Sequence, residues 1–379
     1  MRFRCSLCQQ HYPLHTREWR CSRCQSPFEL DQSFAFKRSK IDKRVTTLWR
    51  YRAMLPELKE KNIVSLGEGW TPLVEAVIEG RRILCKLDYF SPTGSFKDRG
   101  TTVLVSFLKE LGIETVVEDS SGNAAASLAS YCARAGIKTK IFAPADASPA
   151  KLAQIKIFGA ELCPIEGPRE KSAKAAQAVA KEFYYASHVY NPIWLEGIKT
   201  YAYELWEQLD GKAPDAMVAP AGHGSLVRGA YKGFAELQSA GLIKRIPRLY
   251  AVQAEIVAPL YKAWTKKLDQ LQDYWRHNLV DLLPGQTFST IAEGIAVSRP
   301  PHWAKILHFI RDTGGSVVTV SDKEILRARN AMAHQGLFIE PSSAAAIAGL
   351  SKLKDQIKPR DLVVVLLTGS GLKSSTILS

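Results

Sequence analysis

Ser91-Pro-Thr-Gly-Ser-Phe-Lys-Asp-Arg-Gly100 lies between a short apolar run, Arg82 to Lys86, and a longer amphipathic one, Ser95 to Leu111. Pro92 and Gly94 make a turn, Ser95 can cap the helix that follows, and Lys97 falls in that helix's first turn. The same strand, turn and helix order recurs along the chain. Short apolar runs predict strands at Thr115 to Glu118, Lys138 to Phe142, Glu161 to Ile165, Ala216 to Ala219, Arg248 to Gln253, Gly315 to Thr319 and Leu362 to Leu367. Amphipathic runs predict helices at Ala124 to Ala135, Pro149 to Phe158, Lys171 to Lys181, Trp194 to Leu209, Leu226 to Ala240 and Ser342 to Lys354. Such alternation gives open, mostly parallel α/β sheets.

The 379 residues are enough for two to three domains, and 46% hydrophobic with 23% charged residues is the composition of a globular enzyme. No stretch approaches the roughly 18 apolar residues of a membrane-spanning helix. The start, Met1-Arg2-Phe3-Arg4-Cys5, has basic residues without an apolar core behind them, so a secretory signal is not expected and a cytoplasmic protein is. Lysine and arginine number 51 against 37 acidic residues, a net charge of +14 that favours anionic partners. The cations are dispersed, except between Lys37 and Arg52, so a solvated basic surface is expected. A nucleic-acid module built on the N-terminal segment is disfavoured. That segment offers only Arg17, Arg20 and Arg23 as a basic set, and the connector behind it lacks a stacking platform.

Seven cysteines do not make a paired disulfide framework. Cys5-x2-Cys8 and Cys21-x2-Cys24 are two CxxC pairs with twelve residues between them. Each pair can present two thiolates on one tight turn, and two turns complete a tetrahedral shell for a structural zinc ion in a zinc-ribbon-like segment over residues 1–30. So short a segment buries too little surface to fold unaided, and metal binding supplies on the order of 10 kcal/mol instead. A charged connector follows over 31–62, with one helix expected around Val45 to Lys59, and a catalytic region over 63–379. Cys85, Cys132 and Cys163 stand in apolar contexts and read as core.

Four glycine-rich segments fall at strand-to-helix junctions, where α/β proteins collect ligands. In the first, Lys97 beside a helix N-terminus and Arg99 would have its ammonium disfavoured, leaving an amine able to form a Schiff base. In the second, Asp119-Ser-Ser-Gly-Asn-Ala-Ala-Ala-Ser127, small residues let backbone N–H groups approach an anion, and Asn123 offers an amide. The third, Ala219-Pro-Ala-Gly-His-Gly-Ser-Leu226, can wrap a phosphate with its backbone. In the fourth, Leu366-Leu-Thr-Gly-Ser-Gly-Leu-Lys373, Thr368 can turn a hydroxyl into a cleft. Taken singly, each also reads as a surface lysine, a helix cap or a glycine turn.

In this order the segments resemble the threonine synthase branch of the fold-type II pyridoxal-phosphate enzymes, the tryptophan synthase β-like superfamily. The resemblance runs from Leu66-Gly-Glu-Gly-Trp-Thr-Pro-Leu73 to Lys373. It takes in SPTGSFKDRG, SSGNAAAS, Lys151 to Gln154, Phe158 to Ala160, Asn191-Pro192, Leu195-Glu-Gly-Ile-Lys-Thr200, Ile339-Glu-Pro-Ser-Ser-Ala-Ala-Ala346 and LLTGSGLK. It implies two open parallel-sheet lobes, the smaller over about 91–188 and the larger from the flanking portions, and the homodimer usual in the family. It implies that Lys97 is the Schiff-base lysine and that Asn123 contacts the cofactor's 3′-oxygen. Gly222, His223, Gly224, Ser225 and Leu226 would hold its phosphate, and Thr368 its ring nitrogen. Ser120 and Ser121 would receive the carboxylate of an anionic amino-acid substrate.

A hydroxyl at the ring nitrogen makes a milder electron sink than a carboxylate and leans on Lys97 to move protons. That suits threonine synthesis, in which phosphate leaves O-phosphohomoserine and water adds at the β-carbon; Lys373, Arg99 and Ser95 are candidates for the substrate phosphate. Ala124 and His223 depart from the threonine synthase pattern, and Thr290-Ile-Ala-Glu-Gly-Ile-Ala-Val297, with Glu293, is similar to a segment of threonine/serine dehydratases. The alternative is therefore a dehydratase or a cysteate-synthase-like β-replacement enzyme.

Overall fold

The computed structural model describes residues 1–147, 149–167, 169–268 and 289–373, without the side chains of 149–151. Two compact units divide the chain: a first, Met1–Trp70 with Ser91–Thr200, and a second, Thr71–Phe90 with Tyr201–Ser379. Among the described residues no helix is long and apolar enough to cross a membrane.

The chain opens with β1 (Phe3–Cys5), β2 (His11–Tyr12) and β3 (Phe28–Leu30), an antiparallel sheet in the order β2-β1-β3. Next come β4 (Leu73–Ile78) and β5 (Arg81–Leu87), an antiparallel pair. The run α1 (Lys97–Glu110), β6 (Thr115–Glu118), α2 (Asn123–Ala135), β7 (Lys138–Pro144), α3 (Pro149–Ile157), β8 (Glu161–Ile165), α4 (Arg169–Ala178) and β9 (Tyr184–Tyr185) builds a parallel sheet in the order β8-β7-β6-β9. After it come α5 (Pro192–Ile198) and α6 (Thr200–Gln208). The remaining described elements are β10 (Ala216–Pro220), α7 (Ser225–Ser239), β11 (Arg248–Ala254), α8 (Pro259–Thr265), α9 (Trp303–Asp312), β12 (Ser316–Val320), α10 (Asp322–Ala333), α11 (Pro341–Lys352) and β13 (Val363–Leu367). Their sheet runs β12-β11-β10-β13-β5-β4, parallel except for β4.

In the first unit the antiparallel N-terminal sheet is seated on the parallel one. Phe3 stacks on Phe28 at 5.9 Å and reaches Phe107 of α1 at 6.4 Å, while the Trp19 edge meets Tyr185 at 5.5 Å and Tyr190 at 4.7 Å. A small sheet that cannot build its own core thus borrows one. Farther on, Trp194 of α5 lies so close to Gly100 of α1 that a Cβ there would fall 2.2 Å from the indole. Reciprocally, a Cβ on Gly197 would fall 1.9 Å from the Arg99 carbonyl oxygen. The glycines of SPTGSFKDRG and LEGIKT therefore set one helix-to-helix approach. In the second unit α11 covers the sheet with Ala344, Ala345 and Ala346, all fully buried in a core shared with Val218, Val252 and Val365.

Several expectations change. The connector forms three 3-10 helices, Arg38–Lys40, Leu48–Met54 and Glu60–Asn62, not a helix over Val45 to Lys59. Leu55, which precedes Pro56, is extended (φ −117°, ψ 168°), as the proline ring requires of its predecessor. The helix expected over Trp194 to Leu209 is two, α5 and α6, which meet at Lys199. Strands β4 and β9 and helices α8, α9 and α10 add to the expected elements. Cys85 and Cys132 are core, whereas Cys163 on β8 is only half-buried.

Candidate active site

Lys97 is the first residue of α1. Ser95 does not cap that helix: Phe96 holds the N-cap position without a side-chain bond, and the buried Ser95 hydroxyl finds no hydrogen-bond partner among the described residues. Asp98 does the fixing instead. Its buried carboxylate accepts from the Thr93 N–H at 2.7 Å, the Thr93 hydroxyl at 2.6 Å and the Ser127 hydroxyl of α2 at 2.6 Å. One carboxylate thereby ties the turn before Lys97 to two helices. The Lys97 Nζ stands 4.7 Å from the Phe96 ring and 5.4 Å from the Trp194 ring, so aromatic faces set its surroundings. Arg99 is completely buried, with Nη1 3.4 Å from the Thr200 hydroxyl.

The second glycine-rich segment leaves the C-terminal end of β6. Ser120 is buried and accepts the Gly122 N–H at 3.3 Å, while Ser121 and Asn123 are half-buried at the head of α2. Two acids that the sequence reading passed over stand just before them. Glu118 lies 2.6 Å from Nδ1 of His188, and Asp119 accepts a short hydrogen bond from the Tyr185 hydroxyl. Burial pushes the Glu118 carboxyl up to about 7 against the pull of Lys97. Burial likewise raises Asp119 to about 6, against the Tyr185 bond. The charge of Lys97 thus reaches the end of β6, and Lys97 belongs to the same unit as Ser120, Ser121 and Asn123. The visible signal was a pair of acids closing an apolar strand.

In the second unit the loop 222–226 links β10 to α7. Gly224 is the N-cap of α7 with φ +68°, and a Cβ there would meet Ile306 at 2.3 Å, so only glycine makes this entry. Beyond it the helix opens with backbone N–H groups, the ordinary anion-binding end of a helix. Leu226 is buried and its carbonyl accepts from the Tyr201 hydroxyl at 2.6 Å, whereas His223 and Ser225 are half-buried. A Cβ on Gly222 would come within 3.2 Å of Gly294, Ile295 and Val297, so the Glu293 loop lies directly on the phosphate-type loop.

Thr368, at the end of β13, is held by a residue the sequence reading did not single out. The Ser343 Oγ lies 2.9 Å from the Thr368 Oγ1 and accepts the N–H groups of Thr368 at 2.6 Å and Gly369 at 3.0 Å. Its neighbour Ser342 accepts the Gly294 N–H at 3.0 Å. Two adjacent serines at the start of α11 therefore anchor both the Glu293 loop and the Thr368 loop. The signal was the Pro-Ser-Ser at a helix start, where a hydroxyl ordinarily serves the backbone.

The four N-terminal cysteines converge. Their sulfurs all lie within 4.8 Å of one another, with Cys5 3.3 Å from Cys24 and Cys8 3.5 Å from Cys21. Each CxxC turn ends in a glutamine with left-handed backbone, Gln9 at φ 61° and Gln25 at φ 63°. The two knuckles are thus built alike, as a four-thiolate metal site needs.

The family of pyridoxal-phosphate dependent enzymes matches residues 64–369. A threonine synthase of Methanocaldococcus jannaschii is 34% identical across 98% of this chain and 92% of its own length, and one of Methanosarcina acetivorans is 33% identical across 98% and 91%. Among solved structures, a pyridoxal 5′-phosphate-dependent aspartate racemase superposes with a TM-score of 0.66 at 25% identity, covering 79% of this chain and 90% of that one. A lysine at a helix head, a glycine-built anion loop and a hydroxyl at a strand end occur here in a chain matched over nearly its whole length, and the chain belongs to the family of pyridoxal-phosphate-dependent enzymes that includes the threonine synthases.

Proposed function

We propose that this chain is a threonine synthase, converting O-phosphohomoserine and water to L-threonine and phosphate. The observation that carries the reading is the match to threonine synthases over 98% of the chain. The dehydratase alternative gains nothing comparable: a threonine deaminase structure is 23% identical, which speaks to the fold alone.

The residues present fit the cofactor. The 222–226 loop excludes a Cβ where a phosphate needs backbone, and Thr368 offers a hydroxyl steadied by Ser343. When bound, pyridoxal phosphate supplies an electron sink beside the amino acid's Cα. Lys97 would hold the cofactor and move protons at the substrate Cα, while Asn123 would offer its amide to the ring oxygen. The backbone of Gly222, His223, Gly224, Ser225 and Leu226 would receive the cofactor phosphate, and Thr368 would offer its hydroxyl to the ring nitrogen. Ser120 and Ser121 bind the substrate carboxylate. The buried hydroxyl of Ser95, two residues before Lys97, is a ready donor for the departing phosphate. A zinc ion held by Cys5, Cys8, Cys21 and Cys24 in a structural role, cytoplasmic residence and a homodimer belong to the same proposal. So does the division into ribbon, connector and catalytic region, with the small lobe over about 91–188.

The test is incubation of the purified, pyridoxal-phosphate-loaded protein with O-phosphohomoserine. Phosphate and threonine are expected in equal amounts, with a loss of at least about 10³-fold in Lys97→Ala. Absence of phosphate release, or 2-oxo acid formed from serine or threonine in its place, overturns the reading. Metal analysis is expected to give one zinc per chain.

A further inference from the structure

Glu118 and His188 stand outside the roles assigned above, yet they belong to the same unit as Lys97, and His188 shares with it the neighbour Trp194. The register between β6 and β9, Val116 with Tyr184 and Val117 with Tyr185, delivers His188 beside Glu118. The His188 Nδ1 and the Glu118 Oε1 are 2.6 Å apart, with side chains 10% and 2% exposed. The imidazole meets the Trp194 indole edge-on at 5.7 Å, and the Lys97 Nζ lies 5.4 Å from the same indole. A carboxylate, an imidazole, an indole and an amine thus stand in one buried neighbourhood.

The charges around the pair decide its protonation. Lys97 of α1 and Arg169 of α4 pull the Glu118 carboxyl down against the larger effect of burial, and the backbone N–H of His188 supports the ionised form with a hydrogen bond. Asp119 lies next along the chain, with Tyr185 bonded to it, and Cys132 faces Glu118 from α2. Burial and the same two cations hold the His188 imidazole well below its ordinary value, so it stays neutral, and in its Nδ1–H tautomer it donates to Glu118 when that carboxyl is ionised. A buried carboxylate with a neutral donor is costly when it serves stability alone.

We propose that the Glu118 carboxylate, oriented by His188, is the counter-charge that steadies Lys97 whenever that lysine takes up a proton from the substrate carbon. Glu118 and His188 are positioning residues: the proton passes from carbon to the Lys97 amine, and neither of them receives it. The inference rests on the reading of Lys97 as the proton carrier. An anion near an ammonium favours the charged amine, so its removal leaves Lys97 a weaker base.

Two measurements test this on the full chain. Competitive acetylation followed by peptide mapping, on protein purified without pyridoxal phosphate, reads the basicity of Lys97 directly. In Glu118→Gln, Lys97 is expected to react about tenfold faster at pH 7, as follows from an amine titrating about one pH unit lower, with exposed Lys138 unchanged. In the loaded enzyme kcat falls about tenfold with KM unchanged, the mark of an interaction made only in the transition state. His188→Ala shifts labelling in the same direction, and His188→Asn, which keeps an N–H donor near the Nδ1 position, restores it. An unchanged Lys97 labelling profile in folded Glu118→Gln overturns the proposal, as does a fall in melting temperature alone. If Glu118→Gln does not fold, an unshifted profile in His188→Ala overturns it equally. Failure to make threonine would sink the functional reading and leave the labelling result standing.

Discussion

The turn before Lys97 is held by a charge: Asp98 takes two donors from Thr93 and one from Ser127, and Glu118 and Asp119 close the neighbouring strand. The loop at Thr368 is held by a hydroxyl, with Ser343 gathering the Thr368 and Gly369 N–H groups and Ser342 the Gly294 N–H. Both solutions fix a short segment at a strand end. They differ in what they expose to pH. Buried carboxylates bring large desolvation costs and titrate, whereas serine hydroxyls do neither. The first unit gathers titratable groups around Lys97, and the second holds its loops with neutral hydroxyls.

Breaking the charged anchor has the largest expected effect. Asp98→Ala strands three donors, two of them side-chain hydroxyls, and is expected to cost about 3–5 kcal/mol, read by urea unfolding. A loss below about 1 kcal/mol would mean that the turn is held by something other than Asp98.

The pH dependence sharpens the contrast. Glu118 ordinarily titrates at 4.5 and is raised by burial to about 7, so between those values the folded chain binds more protons than the unfolded one. Its contribution to stability therefore falls as pH rises through that window, by on the order of 3 kcal/mol in total. Asp119, raised to about 6, adds in the same direction. Glu118→Gln should flatten the decline measured by unfolding at pH 5 and pH 8. An equal slope in the variant would remove Glu118 as its source.

The neutral anchor is expected to matter least. Ser343→Ala should cost about 1–2 kcal/mol, equally at pH 5 and pH 8. A pH-dependent loss there would erase the distinction between the two loops.

Much of this was legible locally. The alternation of apolar strands with amphipathic helices set the parallel sheets, because each element's period follows from its own residues. The CxxC spacing brought four sulfurs together since each turn is completed within four residues. Lys97 at a helix start was legible from Pro92 and Gly94. What failed was also local in form. Ser95 had the residue type of a cap but is buried, and Asp98 holds the turn in its place. Strand β4 adjoins a two-residue turn, Glu79-Gly80, whose left-handed φ values of 49° and 78° close the hairpin. Arg99 is a cation by residue type, yet packing buries it fully and sets it against the Thr200 hydroxyl.

By itself the sequence determined which residue types stand at each strand end, since turn chemistry, glycine at a left-handed helix entry and thiolate spacing act over a few bonds. The tertiary structure alone decided what surrounds them. His188 is 70 residues from Glu118, Ser127 is 29 from Asp98 and Ser343 is 25 from Thr368. Burial and charge proximity are sums over such distant segments, so a carboxylate's basicity or a hydroxyl's partner exists only once the sheet has brought them together.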